Sequence, residues 1–109
     1  MSVVKINAIE VPEGKGEMLE GRFAARAGEV ERMPGFEGFE LLRPVGGDTR
    51  YFVYTRWESE AAFQAWVTSS AFQHGHRQAS EGPPVAQGSS LLEFEVVTSV
   101  QPAGELPGA

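Results

Sequence analysis

The order of the apolar segments constrains the fold of this chain more than any single motif does. Four segments rich in β-branched and aromatic residues predict strands, and two segments with apolar side chains three or four residues apart predict helices. They follow one another as strand, helix, strand, strand, helix, strand. That order is typical of the ferredoxin-like arrangement, an α+β fold in which a four-stranded antiparallel sheet carries both helices on one face.

Turn and capping signals place the boundaries of these elements. Pro34-Gly35 ends the first helix, and Ser59 can cap the second. Strands are predicted at 3–11, 36–43, 49–57 and 91–100, helices at 15–33 and 59–68, a shorter helical piece at 71–77 and a loop at 80–88. We therefore expect one domain over 1–100, and a frayed Pro/Gly-rich tail at 101–109.

Apolar residues lie on both faces of the predicted sheet. A sheet with one solvent-exposed face alternates between apolar and polar residues. The first and third strands do not alternate in this way, because they carry apolar residues at adjacent positions. These residues are Val3, Val4, Ile6, Ala8, Ile9 and Val11, then Tyr51, Phe52, Val53 and Tyr54. The face without helices needs a cover, and we predict a homodimer in which sheet packs on sheet.

Charge and composition exclude several classes of function. The 109 residues carry 15 acidic and 9 basic side chains, for a formal net charge of −6, which disfavours nucleic-acid binding. The chain has no cysteine, so disulfides, thiolate metal sites and a cysteine nucleophile are excluded. No apolar run is long enough for a membrane span or a signal peptide, which favours a cytoplasmic protein without a membrane partner.

Few motifs in the chain indicate chemistry. Phosphate-binding loops, dinucleotide fingerprints and nucleophile elbows are missing, and His74-Gly75-His76 is a weak metal signal because no motif places a third ligand. What remains is Asn7 in the first strand, Trp66 in the second helix and a histidine soon after it. From pattern alone, a strand asparagine, a helical tryptophan and a helix-end histidine have ordinary roles in the sheet, core and surface.

Several stretches together resemble the IsdG/MhuD-type haem-degrading monooxygenases of the antibiotic biosynthesis monooxygenase superfamily. The resemblance covers nearly the whole chain apart from the tail. Its strongest parts are the stretch 3–11, Pro34-Gly35-Phe36 followed by Leu41-Leu42-Arg43-Pro44, Phe63-Gln64-Ala65-Trp66, and the stretch 91–97.

The resemblance implies an Asn/Trp/His catalytic triad and an oxidoreductase that cleaves haem and releases its iron. Asn7 and Trp66 match the triad, and His76 is favoured over His74 because 72–76 is similar to the family's Phe-x-x-Ala-His. His76 would ligate the haem iron. Asn7 would donate a hydrogen bond to a ligand on the iron, and Trp66 would press the porphyrin out of plane. Haem is then both substrate and cofactor, and an external donor supplies electrons.

Haem also needs cations for its propionates and apolar contacts for its ring. Arg22 and Arg26 lie one helical turn apart and are assigned to a propionate. Phe23, Phe63 and Phe72 are assigned to contacts with the macrocycle.

Two other functions suit the same residues. One is a cofactor-independent monooxygenase of the same superfamily, acting on a polycyclic aromatic or quinol, which would turn over without iron. The other is a non-enzymatic haem-binding or haem-handling protein, which would bind its ligand without consuming it. The fold alone does not separate these three.

Overall fold

The computed structural model describes residues 1–25, 30–69 and 88–103 of the chain. Its helices and strands are β1 (Val3–Glu10), α1 (Gly16–Ala25), β2 (Phe36–Leu42), β3 (Tyr51–Trp57), α2 (Glu60–Val67) and β4 (Gly88–Glu95), with a short 3₁₀ helix at Val30–Arg32. The strands form one antiparallel sheet in the order β2-β3-β1-β4. This order confirms the predicted ferredoxin-like α+β class. Among the described helices, none has the length and apolarity that a membrane crossing requires.

The predicted first helix was wrong at its C-terminal end. The α-helix is described as far as Ala25, and Val30–Arg32 forms a 3₁₀ helix in which the Met33 N–H donates to the Val30 carbonyl at 3.0 Å. Proline cannot continue an α-helix, because its ring clashes with the carbonyl four residues earlier. The tighter 3₁₀ turn therefore closes this segment just before Pro34.

The predicted last strand was displaced along the chain. It was expected at 91–100, but β4 starts at Gly88 and ends at Glu95. Gly88 pairs with Glu10 and Glu95 with Val3, so β4 extends only as far as its partner β1. The first residue of β4 was also assigned to the predicted loop at 80–88. The rest of that loop, and the helical piece at 71–77, lie outside the described residues.

Two clusters form the core between the helices and the sheet. Leu19 of α1 packs with Tyr51, and Val11, Phe23 and Leu41 surround them. Trp57, at the end of β3, is fully buried and is the centre of an aromatic cluster with Phe36, Phe63 and Trp66. The first cluster holds α1 and the second holds α2.

A glycine allows the chain to turn closely against α2. Gly35 has φ +82°, and a Cβ there would lie 2.6 Å from the Cβ of Ala62. Both the left-handed backbone and the close approach require glycine. Glu58 N–H donates to the Gly35 carbonyl at 2.8 Å, so this turn ties the start of β2 to the segment entering α2.

The register separates the two faces of the sheet. Lys5 contacts α2, so the odd-numbered residues of β1 face the helices and the even-numbered residues face away. The face away from the helices carries an apolar group at β1 and β4, with Arg56 and Glu40 towards the β2 edge. The group comprises Val4, Ile6, Ala8, Phe52, Leu92 and Phe94. The homodimer that this face indicates stays a prediction.

Candidate active site

Asn7 lies on the face of the sheet that carries the helices. β1 is an interior strand, and Asn7 pairs with Val53 of β3 on one side and with Leu91 of β4 on the other. Because it is two residues from Lys5, Asn7 presents its side chain to the helix face. Leu91 is 54% exposed on that same face. On this face of the sheet, the Asn7 amide therefore lies between two apolar side chains, and the one on β4 is exposed.

Trp66 lies on α2, and its ring stacks on an aromatic side chain of the sheet. The side chain of Ser59 caps this helix by accepting the Ala62 N–H at 3.1 Å. The rings of Trp57 and Trp66 stack with centroids 6.3 Å apart and planes inclined by 24°. Phe63, one turn before Trp66, meets Trp57 edge-on at 6.1 Å. These contacts set the orientation of the Trp66 ring.

Arg22 and Phe23 lie on α1. Phe23 packs against Phe39 of β2 with ring centroids 6.1 Å apart. Glu20 pairs with Arg43 at the β2 edge of the sheet. Residues two apart on a helix point in directions roughly 200° apart, so Arg22 lies on the side of α1 away from Arg43. There its guanidinium contacts the sulfur of Met18 at 3.8 Å.

The structure describes five of the eight predicted site residues, of which Asn7 lies on β1. Phe63 and Trp66 lie on α2, and Arg22 and Phe23 on α1. The other predicted site residues lie outside the described ranges: Arg26, Phe72 and His76, together with the alternative ligand His74. Within residues 1–25, 30–69 and 88–103, no three histidine, aspartate or glutamate side chains gather into a metal site. The iron-ligand assignment to His76 stays a prediction.

Lys5 is the strongest polar feature near the site, and the sequence interpretation missed it. Its side chain is only 5% exposed, and its Nζ donates to Glu60 and to Glu93 at 2.6 Å each. The same ammonium lies 4.8 Å from the ring centroid of Phe63. Burial opposes the charged form, but the hydrogen bonds to both carboxylates outweigh it and raise the pKa of Lys5. A lysine at a core-facing position of an interior strand was the signal that could have revealed this site.

A second charged network joins the middle of α1 to the strands β2 and β3. Glu20 accepts hydrogen bonds from Arg43 and from the Tyr51 hydroxyl, the latter at 2.6 Å. These bonds, that of Arg43 above all, lower the pKa of Glu20 to about 2. The open cleft beside this network is lined by Glu13, Glu17 and Glu20. Its negative charge makes it unsuitable for a carboxylated ligand.

The fold and the placement of these residues define the class of protein: a ferredoxin-like α+β domain whose first strand presents an asparagine to the face of the sheet that carries the helices. Residues 2–78 match the family model described as Antibiotic biosynthesis monooxygenase. The chain belongs to that family.

The comparisons also identify particular relatives. The chain is 60% identical over 107 residues to the mycobilin-producing haem oxygenase of Mycobacterium tuberculosis, covering 96% of this chain and 98% of that protein. It is 31% identical over 97 residues to the haem-degrading monooxygenase of Bacillus cereus, covering 86% and 89%. Among solved structures it is similar to the haem degrader MhuD of Mycobacterium tuberculosis with two haems bound in its active site. That match has a TM-score of 0.80 and 60% identity, and covers 91% of this chain and 99% of that one.

Proposed function

We propose that this protein is a haem-degrading monooxygenase that cleaves the porphyrin ring with dioxygen and releases iron. The observation that carries this function is the 60% identity, over nearly the full length of both chains, to a haem oxygenase. The relative in Bacillus cereus, which is 31% identical, is also named as a haem-degrading enzyme. We expect this protein to produce mycobilin, the product given in the name of the Mycobacterium tuberculosis relative.

The described residues suit haem in polarity and charge. A flat, largely apolar macrocycle needs apolar contacts, which Val53 and Leu91 on the sheet and Phe63 and Trp66 on α2 would supply. The propionates need a cation. Arg22 on α1 would meet this need, and Arg26 one turn later is assigned the same role.

The roles of the polar residues follow from their chemistry. When bound, haem supplies the iron at which dioxygen is activated, and an external donor supplies the electrons. His76, or His74 as the alternative, would ligate the iron through a neutral imidazole. The Asn7 amide would donate a hydrogen bond to a ligand on the iron, and Trp66 would press against the porphyrin. Phe23, Phe63 and Phe72 would exclude water from the macrocycle.

The proposal also includes a homodimer and a cytoplasmic location. The helix-free face of the sheet presents a row of apolar side chains that a second copy of the same face covers. Phe94 in that row is 52% exposed in the single chain, which supports burial of this face by a second copy. The cytoplasm is the compartment in which we expect the external electron donor to act.

A haemin titration followed by reduction tests this function. We expect wild-type protein to give a saturable Soret band that decays with loss of the macrocycle when ascorbate is added in air, with mycobilin identified by mass spectrometry. His76→Ala should lose the band or its decay, whereas the matched variant His74→Ala should keep both.

Three other outcomes have distinct meanings. The reverse result for the two variants assigns the iron ligand to His74. Binding without decay in wild-type protein contradicts the enzyme and favours a haem-handling protein. A wild-type titration without a specific Soret band contradicts the haem function, and iron-free turnover of quinols should then be measured.

A further inference from the structure

Lys5 links three elements of the fold beneath α2. It lies on β1, its partner Glu60 lies in the first turn of α2, and its partner Glu93 lies on β4 directly opposite it in the sheet. The two carboxylates are 52% and 53% exposed, whereas Lys5 is nearly fully buried. A buried ammonium needs both partners, because desolvation penalises a charge that has no counterion. We name this group of three side chains the Lys5 clasp.

The helix that the clasp holds is short. α2 spans only eight residues, and none of them is fully buried. Its described contacts with the sheet follow its length: Glu60 binds Lys5 in the first turn, Phe63 covers the same ammonium, and Trp66 stacks on Trp57 in the last turn. Because α2 contacts the sheet at all three positions, a tilt of the helix at Glu60 also moves Trp66.

From this geometry we infer that Lys5 is a positioning residue for Trp66, acting through Glu60 to set the tilt of α2 over the sheet. The inference rests on the proposed function for its effect on haem, but the placement of Trp66 itself is independent of any ligand. Lys5 does not bind a propionate, since both of its carboxylate partners are already supplied by the protein.

The two arms of the clasp provide a matched pair of variants. Glu60→Gln and Glu93→Gln each remove one carboxylate of similar exposure from the same ammonium, but only Glu60 lies on α2. Glu60 also accepts a hydrogen bond from the Gln64 amide at 2.8 Å, and a glutamine at position 60 keeps an oxygen that can accept it. A merely structural ion pair therefore predicts the same consequence for both variants. Positioning of Trp66 predicts that Glu60→Gln has the larger effect. Urea unfolding of each variant establishes that it is folded.

The first readout needs no ligand. The chain contains only two tryptophans, Trp57 and Trp66, and their stacked indoles couple in circular dichroism. We expect Glu60→Gln to lose most of this tryptophan couplet and Glu93→Gln to keep it. An unchanged couplet in both variants, or an equal loss in both, overturns the inference. Lys5→Met, which removes both ion pairs at once, should lose the couplet as well, and an intact couplet there also overturns it.

The second readout is haem degradation by the same variants. Small misplacements of a positioned group slow a reaction substantially, so we expect about 10-fold slower macrocycle loss in Glu60→Gln and near wild-type loss in Glu93→Gln. The distribution of cleavage products should shift only in Glu60→Gln. If wild-type protein fails to degrade haem, the proposed function is overturned, while the tryptophan couplet still decides whether Lys5 positions Trp66.

Discussion

At the scale of single residues, Asn7 is the polar group that we propose as a hydrogen-bond donor to a bound ligand. It is the only asparagine of the chain, and it lies in an interior strand rather than at a turn, where asparagine is common. Its neighbours across the sheet are the apolar Val53 and Leu91, so its amide is the polar group between them. A polar side chain held among apolar ones is expected to have a specific partner.

Replacing Asn7 tests that assignment. We expect Asn7→Ala to bind haemin but to degrade it roughly 10- to 100-fold more slowly, because a donor placed in a water-poor site is lost. Stopped-flow decay of the Soret band after reduction measures the rate. Ser89→Ala, on the helix face of the neighbouring strand β4, is the control and should degrade haem at the wild-type rate. Wild-type kinetics in Asn7→Ala would remove Asn7 from the mechanism.

At the scale of elements, α2 depends on its cap as well as on the aromatic cluster. The Ser59 hydroxyl satisfies the Ala62 N–H, one of the donors that a helix start leaves without an intrahelical partner. We expect Ser59→Ala to lower the free energy of unfolding by about 1 kcal/mol and Ser59→Asp to preserve it, since aspartate is also a good cap. Urea unfolding followed by circular dichroism measures both. Equal stability of the alanine variant and wild type contradicts the role of the cap.

At the same scale, a pH-dependent contact of Glu20 holds α1 against the sheet. Hydrogen bonds from Arg43 and Tyr51 lower the pKa of Glu20 to about 2 from a usual value of 4.5. A carboxyl group with a lowered pKa in the folded state stabilises it above its unfolded pKa, and this contribution is lost as the pH falls through the folded pKa. The Glu20 contact therefore contributes fully at neutral pH and disappears between about pH 4.5 and pH 2.

Glu20→Gln should consequently be less stable than wild type at neutral pH, and the difference should shrink through that window. Urea unfolding at a series of pH values measures the change. Glu17→Gln, on the exposed side of the same helix, is the control and should follow wild type throughout. A constant difference for Glu20→Gln at every pH would show that its ionisation does not contribute to the contact.

At the scale of the whole molecule, the two faces of the sheet are predicted to have different partners. Leu91 and Phe94 lie three residues apart on β4, are 54% and 52% exposed, and point to opposite faces. Leu91 faces the helices and the haem site. Phe94 faces away, towards the predicted second copy.

These two residues give a matched test of the homodimer. Phe94→Glu should convert a dimer with twice the 11.8 kDa chain mass into a monomer, because a charge at a sheet-on-sheet interface is left without a partner. Leu91→Glu should remain a dimer and instead weaken haemin binding. Light scattering after size exclusion measures the mass, and a monomeric wild type would refute the dimer directly.

Local patterns made much of this fold predictable. Ser59 as a cap, the hairpin strands β2 and β3, and the apolar residues on both faces of β1 are properties of short segments, and the structure agrees with each. Asn7 and Trp66 were identified through a whole-chain resemblance, since neither has a local pattern that separates it from an ordinary sheet or core residue. The bounds of β4 were less predictable, because Gly88 and the two serines after it have low strand propensity.

The sequence by itself determined the types and order of the elements, because hydrophobic periodicity and caps act within a few residues. The tertiary structure alone decided where β4 ends, since Glu95 pairs with Val3 at the start of β1, 92 residues earlier in the chain. It also decided the role of Lys5, whose partners are 55 and 88 residues away along the chain. Contacts of this kind depend on strand order and helix placement, which bring distant residues together and which no local pattern records.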